Sequence, residues 1–202
     1  MAERSLSILV IDENPIRASI IEAGLHDSGH RNVRIETEIR GIAAKISEFS
    51  PEVIFINLGN PNRDMLEDMF QLSRVVKRPI AMFVDRADKA SIERAVDAGV
   101  SAYIVDGLKK ERVKPILDMA ISRFNAFTSM QRELEEARNE LENRRTIERA
   151  KGIIMNARNL SEPEAYALLR KTAMNRNRKI VDIAHGLIIA ATLLDPTSER
   201  QK

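Results

Sequence analysis

Apolar residues gather in five short runs through the first ~123 residues, at Leu6–Ile11, Val33–Ile35, Val53–Ile56, Pro79–Val84 and Ala102–Val105. Three of these runs, ILVI, VIFI and AMFV, are continuous rather than alternating. Strands of that kind are buried on both faces of a sheet. Between the runs, apolar positions change to helical spacing, as in Ile16, Ile20, Ile21 and Leu25, and again in Met65, Met69 and Leu72. Five βα units of this length predict an α/β domain over 1–123, a parallel sheet with helices on both faces. In such folds the chemistry collects at the C-terminal ends of the strands. Those ends carry Asp12 and Glu13, Asn57, Val84 and Asp85, and Asp106.

The helical pattern that opens at Lys110 continues to Ala157, with Pro115 and Gly152 its only proline and glycine. Within it, Phe127, Met130, Leu134, Ala137 and Leu141 step by three and four residues, a heptad seam. About three heptads form a marginal coiled coil on their own. We expect a linker over 124–143 whose seam joins two copies of the chain, rather than one packed on its own domain. Residues 144–202 predict three short helices. Ile147, Ala150, Ile153, Ile154 and Ala157 mark the first. Ser161 and Glu164 form a capping-box pattern that opens the second, with Pro163 in its first turn. Asn175–Asn177 breaks the chain before the third, which Asp195–Ser198 is expected to end.

Composition narrows the function. The chain has no Cys and three scattered His (His26, His30, His185), so thiolate chemistry and a His-rich metal site are excluded. No apolar run is long enough to cross a membrane. The opening MAERSLSILVIDE lacks the features of a secretory signal, so a cytoplasmic location is expected. The net charge of +2 is unevenly spread. Residues 144–180 hold ten bases, Arg144, Arg145, Arg149, Lys151, Arg158, Arg170, Lys171, Arg176, Arg178 and Lys179, against Glu148, Glu162 and Glu164. A near-neutral N-terminal unit tied to a basic C-terminal one suggests a regulator joined to a polyanion binder.

The first ~123 residues resemble a response-regulator receiver domain, a flavodoxin-like (βα)5 fold. Asp12 and Glu13 match the acidic pair that holds a divalent cation in that family, and PEVIFINLGNP matches its strand-three signature. The phosphorylated Asp of the signature is Asn57 here. The family's Thr or Ser falls on Val84, and its Lys on Asp106. An amide is a poor nucleophile where a carboxylate is needed. Val84 has no hydroxyl, and Asp106 repels a phosphoryl group that cations should surround. The resemblance therefore implies a pseudo-receiver with a degenerate cleft. Asp12, Glu13, Asp85 and Asp106 could still gather Mg²⁺, but solvated acids are the favoured reading and no other cofactor is implied.

The stretch TIERAKGIIMNARNLSEPEAYALLRKTAMNRNRKIVDIA resembles the ANTAR domain, a three-helix RNA-binding module of transcription antiterminators. The whole chain is similar to NasT-type and, more distantly, AmiR-like regulators. Lys151 is expected on the polar side of the first helix, beside Gly152. That glycine costs roughly 1 kcal/mol in a helix interior and implies a close approach by a neighbouring helix or by RNA. Arg170 and Lys171 end the second helix, where cations are favoured in any case. Arg176, Arg178 and Lys179 surround the following turn, which helix electrostatics does not explain. The expected RNA-binding set is Lys151, Gly152, Arg170, Arg176, Arg178 and Lys179. Tyr166, spaced from Leu169 as a helix requires, is expected in the core more than on a base.

The resemblance implies a non-enzymatic antiterminator that binds paired leader hairpins of nitrate or nitrite assimilation genes. It further implies a nitrate-sensing partner of the NasS type that sequesters the regulator. Three alternatives stay open: a DNA-binding response regulator, a phosphorelay component, and an interaction scaffold.

Overall fold

The computed structural model describes residues 4–194; the expected helix end at Asp195–Ser198 lies outside them. Contacts divide the chain into two compact units, Met1–Ser129 and Met130–Lys202.

In the first unit, β1 (Ser7–Asp12), β2 (Asn32–Glu36), β3 (Val53–Asn57), β4 (Ile80–Val84) and β5 (Ala102–Val105) form one parallel sheet in the order β2-β1-β3-β4-β5. That is the flavodoxin-like order, with its switch point between β1 and β3. β3 and β4 are buried along their full length, as their unbroken apolar runs require. The alternation along each strand sends residues to two separate cores. Leu9, Ile11, Ile54, Ile56 and Met82 meet Leu66, Met69 and Phe70 on one face. Ile8, Val10, Phe55, Ala81 and Phe83 meet Ala18, Ile21, Leu25, Val113 and Leu117 on the other. The helices are α1 (Pro15–Asp27), α2 (Ile42–Phe49), α3 (Arg63–Val75) and α4 (Lys89–Asp97). Asn14, Asn62 and Asp88 cap α1, α3 and α4 by accepting from backbone N–H groups in the first turn.

The next helix, α5 (Lys110–Arg158), runs 49 residues without a break at 123 or 143. Its first turns complete the core of the first unit through Val113, Ile116, Leu117 and Ala120. Its last turns belong to the second unit and end at Asn159, in the left-handed region at φ 50°. α6 (Glu162–Asn175) and α7 (Ile180–Leu194) follow. The Glu164 carboxylate accepts from the Ser161 backbone N–H at 2.9 Å, the capping box read from the sequence. Small residues let the three helices close on one another. Ala150, Ile154, Ala165, Leu169 and Ala184 are buried at their centre. Asn177, at φ 49°, turns the chain from α6 into α7.

Candidate functional site

The ends of β1 and β3 are in register, with Asp12 opposite Asn57. Asp12 is fully buried and Asn57 nearly so. The Asn57 amide donates to Asp12 Oδ2 at 2.6 Å. The other Asp12 oxygen accepts from the Asn14 backbone N–H at 2.9 Å and from Arg17 Nη2 at 3.4 Å. Arg17 Nη1 also reaches Asp85, 3.8 Å away. The guanidinium lies over Gly59, where a Cβ would sit 2.5 Å from Nη1. Gly59 holds φ 61°, which favours glycine, and a Cβ there would also make the guanidinium shift. The Arg17 Nε hydrogen is buried without a partner.

This cleft does not fit a divalent cation. Both oxygens of Asp12 are engaged, and a guanidinium already supplies the positive charge. Glu13 is exposed and borders a different groove, with Glu38, Asn62 and Asp64. Among the described residues, no three His, Asp or Glu side chains converge to hold a metal. Val84 is buried, and Asp106 is exposed at φ 47°. Both border the same small cavity as Arg17, Asn57 and Asp85, about 220 Å³ in volume. The structure thus brings Asn57, Asp12, Val84 and Asp106 to one end of the sheet and separates Glu13 from them. Arg17 is a cleft residue that the sequence reading missed. Its only signal was a base in the first turn of the helix after the acidic pair.

Four apolar members of the seam stay uncovered within the chain: Phe127 is 53%, Met130 68%, Leu134 52% and Leu141 52% exposed. Ala137 is exposed as well.

In the second unit the basic residues fall into three settings. Lys151 corrects the sequence reading, since it is 6% exposed rather than on the polar side. Its ammonium donates to Glu148 at 2.7 Å and to Glu162 at 2.6 Å, tying α5 to the start of α6. Hydrogen bonding to Glu148 and then Glu162 raises the Lys151 pKa, and Lys151 lowers that of Glu162. A cation spent in this way has little left for a phosphate. Gly152, next to it, has no atom within 4 Å of where a Cβ would stand. Among the described residues no helix approaches it, so packing there gives no reason for a glycine.

The second setting is the end of α6 and the turn beyond. Arg170, Lys171, Arg176, Arg178 and Lys179 are all exposed. None has an acidic partner among the described residues, whereas Arg34, Lys45, Arg94 and Lys110 elsewhere are paired. Tyr166, expected in the core, is 44% exposed on the same helix, and Met174 is 71% exposed. The third setting was not legible in the sequence. Arg138, Arg145, Arg149 and His185 line an open groove of about 530 Å³, with Leu141 and Ile188. Arg178 borders the adjoining hollow beside Asp182 and His185.

Comparison with known proteins fits both units. Residues 135–188 match the ANTAR domain. The transcriptional regulatory protein PdtaR of Mycobacterium tuberculosis is 27% identical over 190 residues, which cover 94% of this chain and 91% of PdtaR. A nitrate regulatory protein of Klebsiella oxytoca is 30% identical over 80 residues, 40% of this chain and 20% of that protein. The fold of the first unit matches the signal receiver domain of a modulated diguanylate cyclase from Desulfovibrio desulfuricans G20. There the TM-score is 0.52 at 14% identity, over 61% of this chain and 98% of that one. A CheY-like receiver domain from Methanospirillum hungatei JF-1 gives 0.50 at 17% identity, over 61% and 98%. With a receiver-like fold in front and an ANTAR match behind, the chain is similar to receiver–ANTAR regulators of the antiterminator type.

Proposed function

We propose that the protein binds a leader RNA of paired hairpins, and that binding keeps a terminator from forming ahead of nitrate or nitrite assimilation genes. The observation that carries this reading is the group of five exposed, unpaired bases from Arg170 to Lys179, beside a helix break. A solvated surface normally intersperses its charges; here five bases gather around one helix break, an arrangement that displaces counterions from a phosphate backbone. Arg138, Arg145 and Arg149 extend the basic surface along α5. The uncovered seam from Phe127 to Leu141 supports a homodimer, which would set two RNA-binding units on two hairpins at high effective concentration.

Control runs through protein sequestration rather than phosphorylation. Asn57 offers no carboxylate, and Arg17 takes the place in which Mg²⁺ would assist phosphoryl transfer. We therefore assign no metal to the wild-type cleft. A nitrate-sensing partner of the NasS type, holding the regulator until its ligand arrives, fits a receiver of this kind.

The test is a salt titration of the full chain binding the two-hairpin leader of the assimilation operon, with promoter duplex DNA alongside. RNA affinity should fall with a log–log slope of roughly −0.7 to −0.9 per phosphate neutralised. Arg178→Ala and Lys179→Ala should each flatten the slope by about one unit. Stronger binding to the DNA at matched salt would instead make the protein a DNA-binding regulator.

A further inference from the structure

Tyr166, Arg170 and Met174 occupy successive turns of α6 at intervals of four residues, so they share one face of the helix. Tyr166 is 44% and Met174 71% exposed, and Arg170 between them is exposed and without an acidic partner among the described residues. Large apolar side chains at this exposure lie beside a fully satisfied core. Ala165, Leu169 and Ala173, on the adjoining stripe, bury α6 against its neighbours. The row lies outside that buried core. It rises about 12 Å along the helix, the length of three or four bases stacked at ~3.4 Å.

We propose that this row reads unpaired bases of an RNA loop, with Tyr166 as the stacking platform and Arg170 and Met174 holding the adjacent bases. This rests on the RNA-binding reading above and adds where the sequence of the loop is sensed. RNA is the occupant because the row ends in cations only. Lys171 flanks it, and Arg176, Arg178 and Lys179 lie just beyond its C-terminal end. A protein partner would be matched by apolar surface or by acids on its own side, whereas a loop offers flat bases and phosphates together. An aromatic ring and a guanidinium plane are the groups on which splayed bases stack. Tyr166 is the only Phe, Tyr or Trp after Phe127, so the second unit has one platform of that kind. The bases around the turn would position the backbone, and the row would discriminate among loops.

Tyr166 also supplies its own reporter. The protein has two tyrosines and no tryptophan. The other, Tyr103, has a buried hydroxyl with no partner, so Tyr103→Phe removes its emission and breaks no hydrogen bond. In that full-length background, the two-hairpin leader RNA should quench Tyr166 fluorescence and shield it from acrylamide. Tyr166→Phe should bind as the parent does. Tyr166→Ala should bind the native loops roughly 5- to 150-fold more weakly, the range for one lost stacking contact, with an unchanged salt slope. RNA with abasic loop nucleotides should bind parent and Tyr166→Ala equally. Native-loop affinity unaltered in Tyr166→Ala, while Arg178→Ala still weakens binding, would overturn the row and leave the RNA-binding reading intact. A change in sedimentation of Tyr166→Ala without RNA would overturn it in favour of a protein contact. Absence of RNA binding by the parent itself would remove both readings together.

Discussion

Asn57→Asp tests the receiver cleft most directly. The substitution exchanges the amide that donates to Asp12 at 2.6 Å for a second buried carboxylate. Two unit charges about 3 Å apart at an effective dielectric near 20 repel by roughly 5.5 kcal/mol. A guanidinium about 4 Å away returns roughly 4 kcal/mol of that, and Arg17 borders the same cavity as residue 57. The lost hydrogen bond adds about 1 kcal/mol. The balance is a loss of roughly 2–3 kcal/mol for the receiver unit at neutral pH. At a urea slope near 2 kcal/mol/M, the unfolding midpoint should drop by about 1 M. The assay is urea unfolding of the full chain by circular dichroism at pH 7.5 with EDTA, repeated with Mg²⁺ and at lower pH. Protonating the new carboxyl should recover most of the loss, whereas millimolar Mg²⁺ should recover little of it while Arg17 stays beside Asp12. A midpoint in EDTA equal to that of the wild type would refute the reasoning. The variant should also fail to switch with acetyl phosphate, since Val84 and Asp106 still lack the hydroxyl and the cation.

Gly152→Ala fills open space in a helix interior, so it should stabilise the second unit by up to about 1 kcal/mol, read as a higher melting temperature. If RNA approaches that bare backbone, the same variant should bind the leader more weakly; stabilisation without loss of affinity would assign the glycine no role in binding. Lys151 joins α5 to α6 through Glu148 and Glu162, and its two glutamate bonds set opposite limits in pH. The lowered Glu162 pKa gives stability that is full above the ordinary glutamate range and lost as pH falls through the folded value. The raised Lys151 pKa gives stability that is full below the ordinary lysine range and lost as pH rises through the folded value. Melting of Lys151→Met should therefore vary less between pH 6 and pH 3 than melting of the wild type. Leu134→Glu with Leu141→Glu should turn a dimer into a monomer in sedimentation and weaken binding to paired hairpins more than to one hairpin. Unchanged sedimentation would make the seam a solvent-facing stripe.

The five strands were legible because continuous apolar runs have few other uses in a chain of this composition. The runs at 8–11, 53–56 and 81–84 all lie within observed strands. The capping box at Ser161 and the break near Asn177 were legible for the same reason, since their chemistry is local. What depends on distant partners was not. Lys151 looks like a surface base in a basic segment. Only the return of α6 places Glu162, eleven residues on, within reach of it. Tyr166 has the spacing of a core residue, yet the core closes on Ala165 and Leu169, on the adjoining stripe of the helix. Arg145, Arg149 and His185 share a groove because α5 and α7 pack side by side, which no spacing along the chain announces. Arg17 follows the same rule. Its tie to Asp12 is short in sequence, but its meaning comes from Gly59 and Asp85 on other strand ends.

The fit of Arg17 over Gly59 bears on how such a receiver changes over evolutionary time. Recovery of a working phosphoacceptor would take a carboxylate at 57, a hydroxyl at 84, a lysine at 106 and a vacated cation position at 17. A carboxylate gained first meets Asp12 without a metal between them. Arginine lost first leaves Asp12 buried beside an amide, with its charge less compensated. Any side chain gained at 59 collides with the guanidinium and takes on a strained backbone. A carboxylate at 57 and the loss of Arg17 therefore each lower stability before they offer function. Under the control proposed above, such a cleft works as a ratchet that leaves signalling to binding partners.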